Sequence, residues 1–145
     1  MRTALKSALT VLFLMTTIVL PKTSFAQSEA DHKIVFQLVT NDAKAQKGLL
    51  KQLNNLKNGY GDSVIMEVVC HGPGLDLLHE ERSAHKEALL KLKDRGVIFL
   101  ACENTLKGRN IPKEAIMKEF NFVPMGIGHI IERQEKGWSY IKAGL

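Results

Sequence analysis

Hydrophobic and polar positions form blocks along the chain, and each block has the length and spacing of one strand or one helix. Apolar, β-branched runs predict buried strands at Lys33–Val39, Ser63–Cys70 and Val97–Cys102. The second run is almost continuously apolar, which is typical of a parallel sheet covered on both faces. Phe122–Pro124 predicts a short extended piece, and Trp138–Lys142 predicts a last strand at the edge of the sheet.

Helical spacing of apolar residues fills the segments between these strands. Thr40–Asp42 is a capping cluster, and the leucines after it predict a helix that stops at Asn58–Asp62. Glu80–Asp94 predicts an amphipathic helix, with Ala84, Ala88, Leu89 and Leu92 facing inward. Further helical segments are predicted at Asn104–Asn110 (a short helix or turn), at Pro112–Phe120 and from His129 to about Lys136.

Strands that alternate with helices build βαβ units. The chain is therefore predicted to be an α/β protein, a three-layer α/β/α domain with a mostly parallel sheet of about five strands. It contains no internal repeat and no low-complexity tract that would indicate a second domain.

The first 26 residues have the pattern of a cleavable signal peptide. Arg2 and Lys6 precede an apolar run at 8–20, and Ser24–Ala26 supplies small residues at the cleavage point. The run of 13 residues is shorter than the roughly 20 that cross a bilayer. The alternative is an uncleaved membrane anchor. We expect a signal peptide at 1–26, a single domain at 27–145, a periplasmic location and no membrane attachment after cleavage.

Removal of the signal peptide changes the charge balance. The whole chain carries a formal charge of +5, but the three cationic residues Arg2, Lys6 and Lys22 leave with the leader. The remaining 17 basic and 15 acidic residues are interspersed, and aromatic residues are few. This composition gives nucleic-acid binding little support.

Two cysteines, Cys70 and Cys102, are the most informative candidates for chemistry. Each closes a predicted strand, and in parallel sheets reacting groups collect at the carboxyl ends of the strands. Outside the cytoplasm the two thiols either form a disulfide or remain reactive. Each can also be a buried small hydrophobe, the interpretation that we favour for Cys70.

Cys102 is the stronger candidate because of the residues on its carboxyl side. Asn104 or Thr105 can cap a helix there, and unpaired amides at a helix start stabilise a thiolate. Lys107 and Arg109 add positive potential, whereas Glu103 opposes it, so the sequence leaves the direction of the pKa shift open. A thiolate is the species that attacks sulfur.

The residues around both cysteines resemble the DsrE/DsrF-like (sulfur-relay, YchN-like) family, and specifically its exported branch. The segments concerned are Val68–Leu75 with its H-G-P-G motif, Arg95–Val97, and Ala101–Leu106 with its C-x-N-T-L motif. Val123–Gly126 and the final Trp138–Lys142 also fit. Cys70 departs from the pattern, because a small apolar residue is usual before H-G-P-G.

The resemblance implies a sheet flanked by helices and a homo-oligomer, a trimer or a hexamer. It also implies that a cysteine carries sulfur as a persulfide, and Cys102 occupies the cysteine position of C-x-N-T-L. The unusual Cys70 raises the alternative of a Cys70–Cys102 redox pair.

Residues of the H-G-P-G turn are expected to support such a thiol. His71 is either a proton shuttle, since its pKa lies near neutrality, or a structural histidine. Gly72 and Gly74 serve backbone geometry, and Gly74 leaves room for a close ligand. Asn104 either orients a ligand or caps the helix. His79, His85 and His129 have weaker claims.

No complete metal or cofactor motif is present in the sequence. Cys70, His71 and Cys102 do not have the spacing of a compact zinc site. The G-x-G at Gly126–Gly128 is an incomplete dinucleotide fingerprint and only weak support for a phosphate site. We therefore predict no metal and no cofactor.

Two functions remain in competition. In the first, an exported sulfur-handling protein uses Cys102 as a persulfide carrier or redox-active thiol and passes sulfur to a partner thiol. His71, Asn104 and Thr105 line its pocket. In the second, the domain is a non-catalytic binding or assembly module whose cysteines are structural or joined in a disulfide. The surroundings of the Cys102 sulfur separate the two: a sulfur sealed in the interior, with no cavity and no donor groups beside it, would exclude the first function.

Overall fold

Within the part of the chain that the structure describes, five parallel strands form the central sheet. The computed structural model describes residues 31–144, so the predicted signal peptide lies outside the described residues. The strands are β1 (His32–Leu38), β2 (Val64–Cys70), β3 (Val97–Cys102), β4 (Asn121–Val123) and β5 (Ser139–Ala143). Their order across the sheet is β4-β3-β2-β1-β5, and every neighbouring pair is parallel.

Four α-helices connect the strands. They are α1 (Ala43–Tyr60), α2 (Lys86–Asp94), α3 (Glu103–Gly108) and α4 (Gly126–Glu135), with 3-10 turns at Gly61–Ser63, Gly72–Leu78 and Lys113–Ala115. The predicted capping cluster starts α1, because the carboxylate of Asp42 accepts a hydrogen bond of 2.8 Å from the amide of Ala45. The predicted α/β class, with a parallel sheet of five strands, is confirmed.

The two faces of the sheet are covered very differently. On one face α1 and α2 pack with the Gly72–Leu78 turn over a large core that includes Phe36 and Phe99. On the other face α4 packs with Ile130 over a small cluster formed by Val35, Val69, Leu100 and Val123. Both faces are therefore covered, as the apolar run of β2 predicted. We call the second one the α4 face.

Two predicted helices are wrong in whole or in part. The helix predicted at Glu80–Asp94 begins only at Lys86, so Ala84 is exposed and His85 precedes the first turn. The predicted helix Pro112–Phe120 contains only the 3-10 turn Lys113–Ala115.

Long-range backbone pairing explains both errors. His79 forms an antiparallel bridge with Ile116. The amide of Glu80 donates to Ala115 at 2.8 Å, and that of Met117 donates to Leu78 at 3.0 Å. Backbone groups that are used across these two segments are not available for helical hydrogen bonds, so tertiary contacts override the local pattern.

Candidate functional site

Cys102 lies at the point where β3 becomes α3. It is the last residue of β3 and the N-cap of α3, and its backbone is extended. The expected cap, Asn104 or Thr105, is therefore wrong by two or three residues, because the helix already begins at Glu103. In the strand register Cys102 lies beside Val123 of β4, and the amide of Asn104 donates to the carbonyl of Pro124 at 3.2 Å.

Hydrogen-bond donors from two helix starts converge on the sulfur of Cys102. The amide of Gly126, the first residue of α4, donates to Sγ at 3.2 Å. The Thr105 hydroxyl and the backbone amides of Asn104 and Thr105 also stabilise the thiolate form of this sulfur. Burial raises the pKa of the Cys102 thiol, but these donors outweigh burial and hold the pKa below its usual range.

The sulfur is well supplied with donors but is not open to solvent. Cys102 is 5% exposed. The cover comes partly from α4, since a Cβ added to Gly126 would lie 3.0 Å from Val69 Cγ1 and 3.3 Å from Cys102 Cβ. Only a glycine lets the start of α4 approach the sheet so closely.

The turn after β2 is tied to the thiol through Thr105. Gly72, which has a φ of +53°, donates its amide hydrogen to Thr105 Oγ1 at 3.0 Å. Its carbonyl accepts a hydrogen bond of 3.0 Å from Arg109. Arg109 also pairs with Asp76 at 2.9 Å, so its charge is directed to the turn. Thr105 therefore links the turn after β2 with the Cys102 thiol.

Gly74 is present because the chain passes very close to β1. A Cβ at this position would lie 2.2 Å from the carbonyl oxygen of Leu38, far inside any real contact. This close approach to the backbone of β1 is the structural basis of the role in backbone geometry that we expected for Gly74.

His71 extends β2 by one residue towards the thiol. Cys70 is in register with Ala101, so the next pair along the two strands is His71 and Cys102, on the same face of the sheet. Gln37 bonds the Nε2 of His71 at 2.8 Å, and the Gln37 oxygen accepts from the Tyr140 hydroxyl. Gln37 therefore donates to Nε2, and the proton of a neutral His71 lies on Nδ1. Burial lowers the pKa of His71, which favours that neutral form.

Cys70 is separated from Cys102 by the sheet itself. Cys70 belongs to the large core on the face opposite α4, whereas Cys102 contacts α4. Both are free thiols, and Cys70 is completely buried. Burial raises the pKa of the Cys70 thiol far above its usual range. This arrangement does not support a Cys70–Cys102 redox pair.

Comparison with known proteins places the chain in a family. The sequence profile of the DsrE/DsrF-like family matches residues 32–143, nearly all of the described structure. The chain belongs to the DsrE/DsrF-like family. A search of curated proteins found no match.

Two solved structures share this DsrE/DsrF-like fold. A protein of unknown function, MTH1491 from Methanobacterium thermoautotrophicum, is 32% identical, with a TM-score of 0.67 over 77% of this chain and 99% of its own. A conserved protein of unknown function, BT1422 from Bacteroides thetaiotaomicron, is 19% identical, with a TM-score of 0.62 over 79% of this chain and 97% of its own. The second likeness concerns the fold alone.

Three polar side chains of this DsrE/DsrF-like domain were not predicted from the sequence as a site. Glu67, within the apolar run of β2, is only 4% exposed and bonds both His129 and Arg133 of α4. His129 was given only a weak claim, and Glu67 and Arg133 none. The available signal was a single carboxylate in an otherwise apolar strand, because a buried charge requires a partner.

Neither a metal cluster nor a membrane span is found in the described part of this DsrE/DsrF-like chain. Among residues 31–144, no three histidine, cysteine or carboxylate side chains gather closely enough to hold a metal ion. No helix within the same range is both long and apolar enough to cross a membrane.

Proposed function

We propose that this protein handles sulfane sulfur, with Cys102 as the carrier. The observation that carries the proposal is the set of groups that stabilise its thiolate: the Gly126 amide, which donates to the sulfur, the Thr105 hydroxyl, and the amides of Asn104 and Thr105. Donors of this kind stabilise a thiolate in a site that is otherwise buried. The same donors make Cys102 both a nucleophile towards sulfur and a good leaving group.

The proposed transfer is balanced without any external oxidant. The Cys102 thiolate attacks the outer sulfur of a donor persulfide, a new S–S bond forms, and the donor leaves as a thiolate. A partner thiolate then attacks the outer sulfur on Cys102, which leaves as the thiolate that its donors stabilise. His71 follows Cys70 at the end of β2, next to Cys102 if the strand register is continued by one residue, and its proton lies on Nδ1; it is the group we propose to donate a hydrogen bond to the departing thiolate.

Mass analysis of the intact protein tests the carrier role. After treatment with inorganic polysulfide, the wild type and Cys70→Ala should each gain the mass of added sulfur, and a thiol acceptor should remove it. Cys102→Ser should gain none, because Cys70 is fully buried. An unmodified wild type, or an equal adduct on Cys102→Ser, contradicts the proposal.

Export and self-association form the second part of the proposal. The signal-peptide pattern at 1–26 supports cleavage after Ala26 and a periplasmic location. Amino-terminal sequencing of protein from a periplasmic fraction tests this, and a chain that begins at Met1 contradicts it. We propose a homo-oligomer, a trimer or a hexamer, which light scattering of the purified protein measures directly.

A binding or assembly module is the second candidate function. It is favoured by the apolar side chains exposed on and beside α4, where Met125, Ile127 and Ile131 are 54%, 46% and 50% exposed. Exposed apolar residues that lie together mark interaction surfaces. If Ile127→Glu disrupts self-association while Cys102 accepts no sulfur in any variant, this second function is the correct one.

A further inference from the structure

The start of α4 covers the thiol, but few apolar contacts hold it there. Within α4 only Gly126 and Ile130 are buried, whereas Ile127 and Ile131 are half exposed. Helices in proteins are held mainly by an apolar face packed on the core. A single buried isoleucine is a small anchor for a helix of ten residues.

Hydrogen bonds between polar side chains also attach α4 to β2. The Glu67 carboxylate of β2 accepts two hydrogen bonds of 2.7 Å from the Nε and Nη2 of Arg133, one on each oxygen. His129 Nε2 lies 2.6 Å from the same carboxylate. We call Glu67, His129 and Arg133 the α4 clamp. Bidentate pairing of arginine with a carboxylate fixes orientation as well as distance.

The clamp residues of α4 lie on the same helix face as Gly126, which contacts the Cys102 sulfur. Positions 126, 129, 130 and 133 share one helix face, and Arg133 lies about 10 Å along the axis from Gly126. The β2 member of the clamp is Glu67, and Gly126 lies over Val69, two residues further along β2. Because a helix of this length is stiff, the clamp determines where the Gly126 amide lies over Cys102.

Arg133 is itself held in place from the other side. Its guanidinium lies 4.9 Å from the centre of the Trp138 ring, and the Trp138 amide donates to the Arg133 carbonyl at 3.0 Å. Cation–π contact and the ion pair together fix the side chain. The Glu67 hydrogen bond raises the pKa of Arg133, so the guanidinium stays charged.

We propose that the α4 clamp positions the amide of Gly126 on the Cys102 sulfur and that release of α4 opens the thiol to reagents and partners. The clamp residues are positioning residues, since none of them touches the sulfur. The role of opening in sulfur transfer rests on the proposed function, whereas the control of thiol access does not.

Two changes in opposite directions distinguish this role from a general loss of stability. When the clamp is weakened, Cys102 loses the Gly126 donor, and its apparent pKa should rise by about one unit. The same opening exposes the sulfur, so alkylation well above that pKa should become faster by about tenfold. A destabilised fold with an intact clamp changes neither quantity.

The experiment measures iodoacetamide labelling of Cys102 against pH, with Cys70 quantified in the same digests. The clamp variants are Arg133→Lys and Glu67→Gln. Glu135→Gln is the matched control on α4, because Glu135 is exposed. Leu92→Ala is the control for stability, since Leu92 is buried in the core on the opposite face. Cys70 is fully enclosed, so its labelling reports global unfolding.

The clamp is supported if both of its variants raise the pKa and the limiting rate at Cys102 while Cys70 stays unlabelled and both controls resemble the wild type. The proposal is overturned if folded clamp variants keep the wild-type pKa and limiting rate at Cys102. It is also overturned if Leu92→Ala changes both quantities by the same amount as the clamp variants. If clamp variants behave as expected but polysulfide adds no sulfur to wild-type Cys102, the sulfur-carrier function fails and the positioning role stands.

Discussion

Thr105 and Gly72 are joined by a hydrogen bond of 3.0 Å in which the Gly72 amide donates to the Thr105 hydroxyl oxygen. The same hydroxyl donates its own hydrogen to the sulfur of Cys102. A hydroxyl that accepts one hydrogen bond becomes a stronger donor in the next. The turn after β2 and the helix after β3 therefore act on the thiol together.

Replacement of Thr105 with valine should raise the pKa of Cys102 and leave the Gly72 amide without its acceptor. We expect slower alkylation of Cys102 at neutral pH and a loss of about 1–3 kcal/mol in the free energy of unfolding. Thr105→Ser keeps the hydroxyl and should retain most of both. Alkylation rates against pH and urea denaturation measure the two effects. Equal behaviour of the two variants would show that the Thr105 hydroxyl does not act on Cys102.

The two glycines of α4 should respond to alanine in opposite ways. Gly126→Ala places a Cβ 3.0 Å from Val69 Cγ1, so α4 must move, and both stability and the Gly126 donor to Cys102 should decrease. At Gly128 the new Cβ would lie 2.6 Å from Met125 Cε, the end of an exposed and flexible side chain that can rotate away. Gly128→Ala should therefore gain up to about 1 kcal/mol from helix propensity. Thermal unfolding measures both, and a neutral Gly126→Ala would refute the close packing of α4.

Gly74→Ala should be among the most destabilising single substitutions in the described chain. Its Cβ would lie 2.2 Å from the Leu38 carbonyl oxygen, and a backbone atom cannot move aside without disturbing β1. We expect a loss of about 3 kcal/mol or more. Gly48→Ala in α1 is the matched control, since nothing lies within 4 Å of its Cβ, and it should gain about 0.5–1 kcal/mol. Chemical denaturation compares the pair, and similar midpoints would be inconsistent with the structure.

The two cysteines should give opposite dependence of stability on alkaline pH. Burial raises the pKa of Cys70, so its contribution is complete below the unfolded value of about 8.5 and falls above it, by about 1.4 kcal/mol per pH unit. The pKa of Cys102 is lowered by its donors, so its contribution grows as pH rises from the folded value towards about 8.5. Relative to Cys70→Ala, the wild type should lose stability above that pH. Relative to Cys102→Ser, the wild type should gain stability as the pH rises towards the unfolded pKa of the thiol. Denaturation at several pH values measures both, and parallel curves would argue against these environments.

Sequence patterns were sufficient for elements that depend on local chemistry. The strands of the sheet, the Asp42 cap of α1 and the position of Cys102 at a strand end follow from apolar runs and capping residues near to one another in the chain. The register of β2 with β3, continued by one residue beyond Cys70 and Ala101, then places His71 next to Cys102. These parts of the site were predictable because adjacent parallel strands end at the same edge.

Features that depend on distant residues were not predictable in this way. The pairing of His79 with Ile116 removes two predicted helical segments, and nothing local in either segment reveals its partner. The Gly126 amide reaches Cys102 across 24 residues, and the predicted start of α4 lay three residues too late to include it. Glu67 gave a signal as a charge in an apolar strand, but its partners His129 and Arg133 are more than 60 residues away.

Because Cys70 is completely enclosed, its rate of modification measures how often the native structure opens. A small electrophile reaches that sulfur only when β2 separates from its neighbours, so the modification rate reports the rarest and largest fluctuation of the native state. Cys102 needs only a shift of one helix end. The two thiols therefore report two opening events of different size, separation of β2 and a shift of α4. One labelling series yields the free energies of both openings without a probe being introduced.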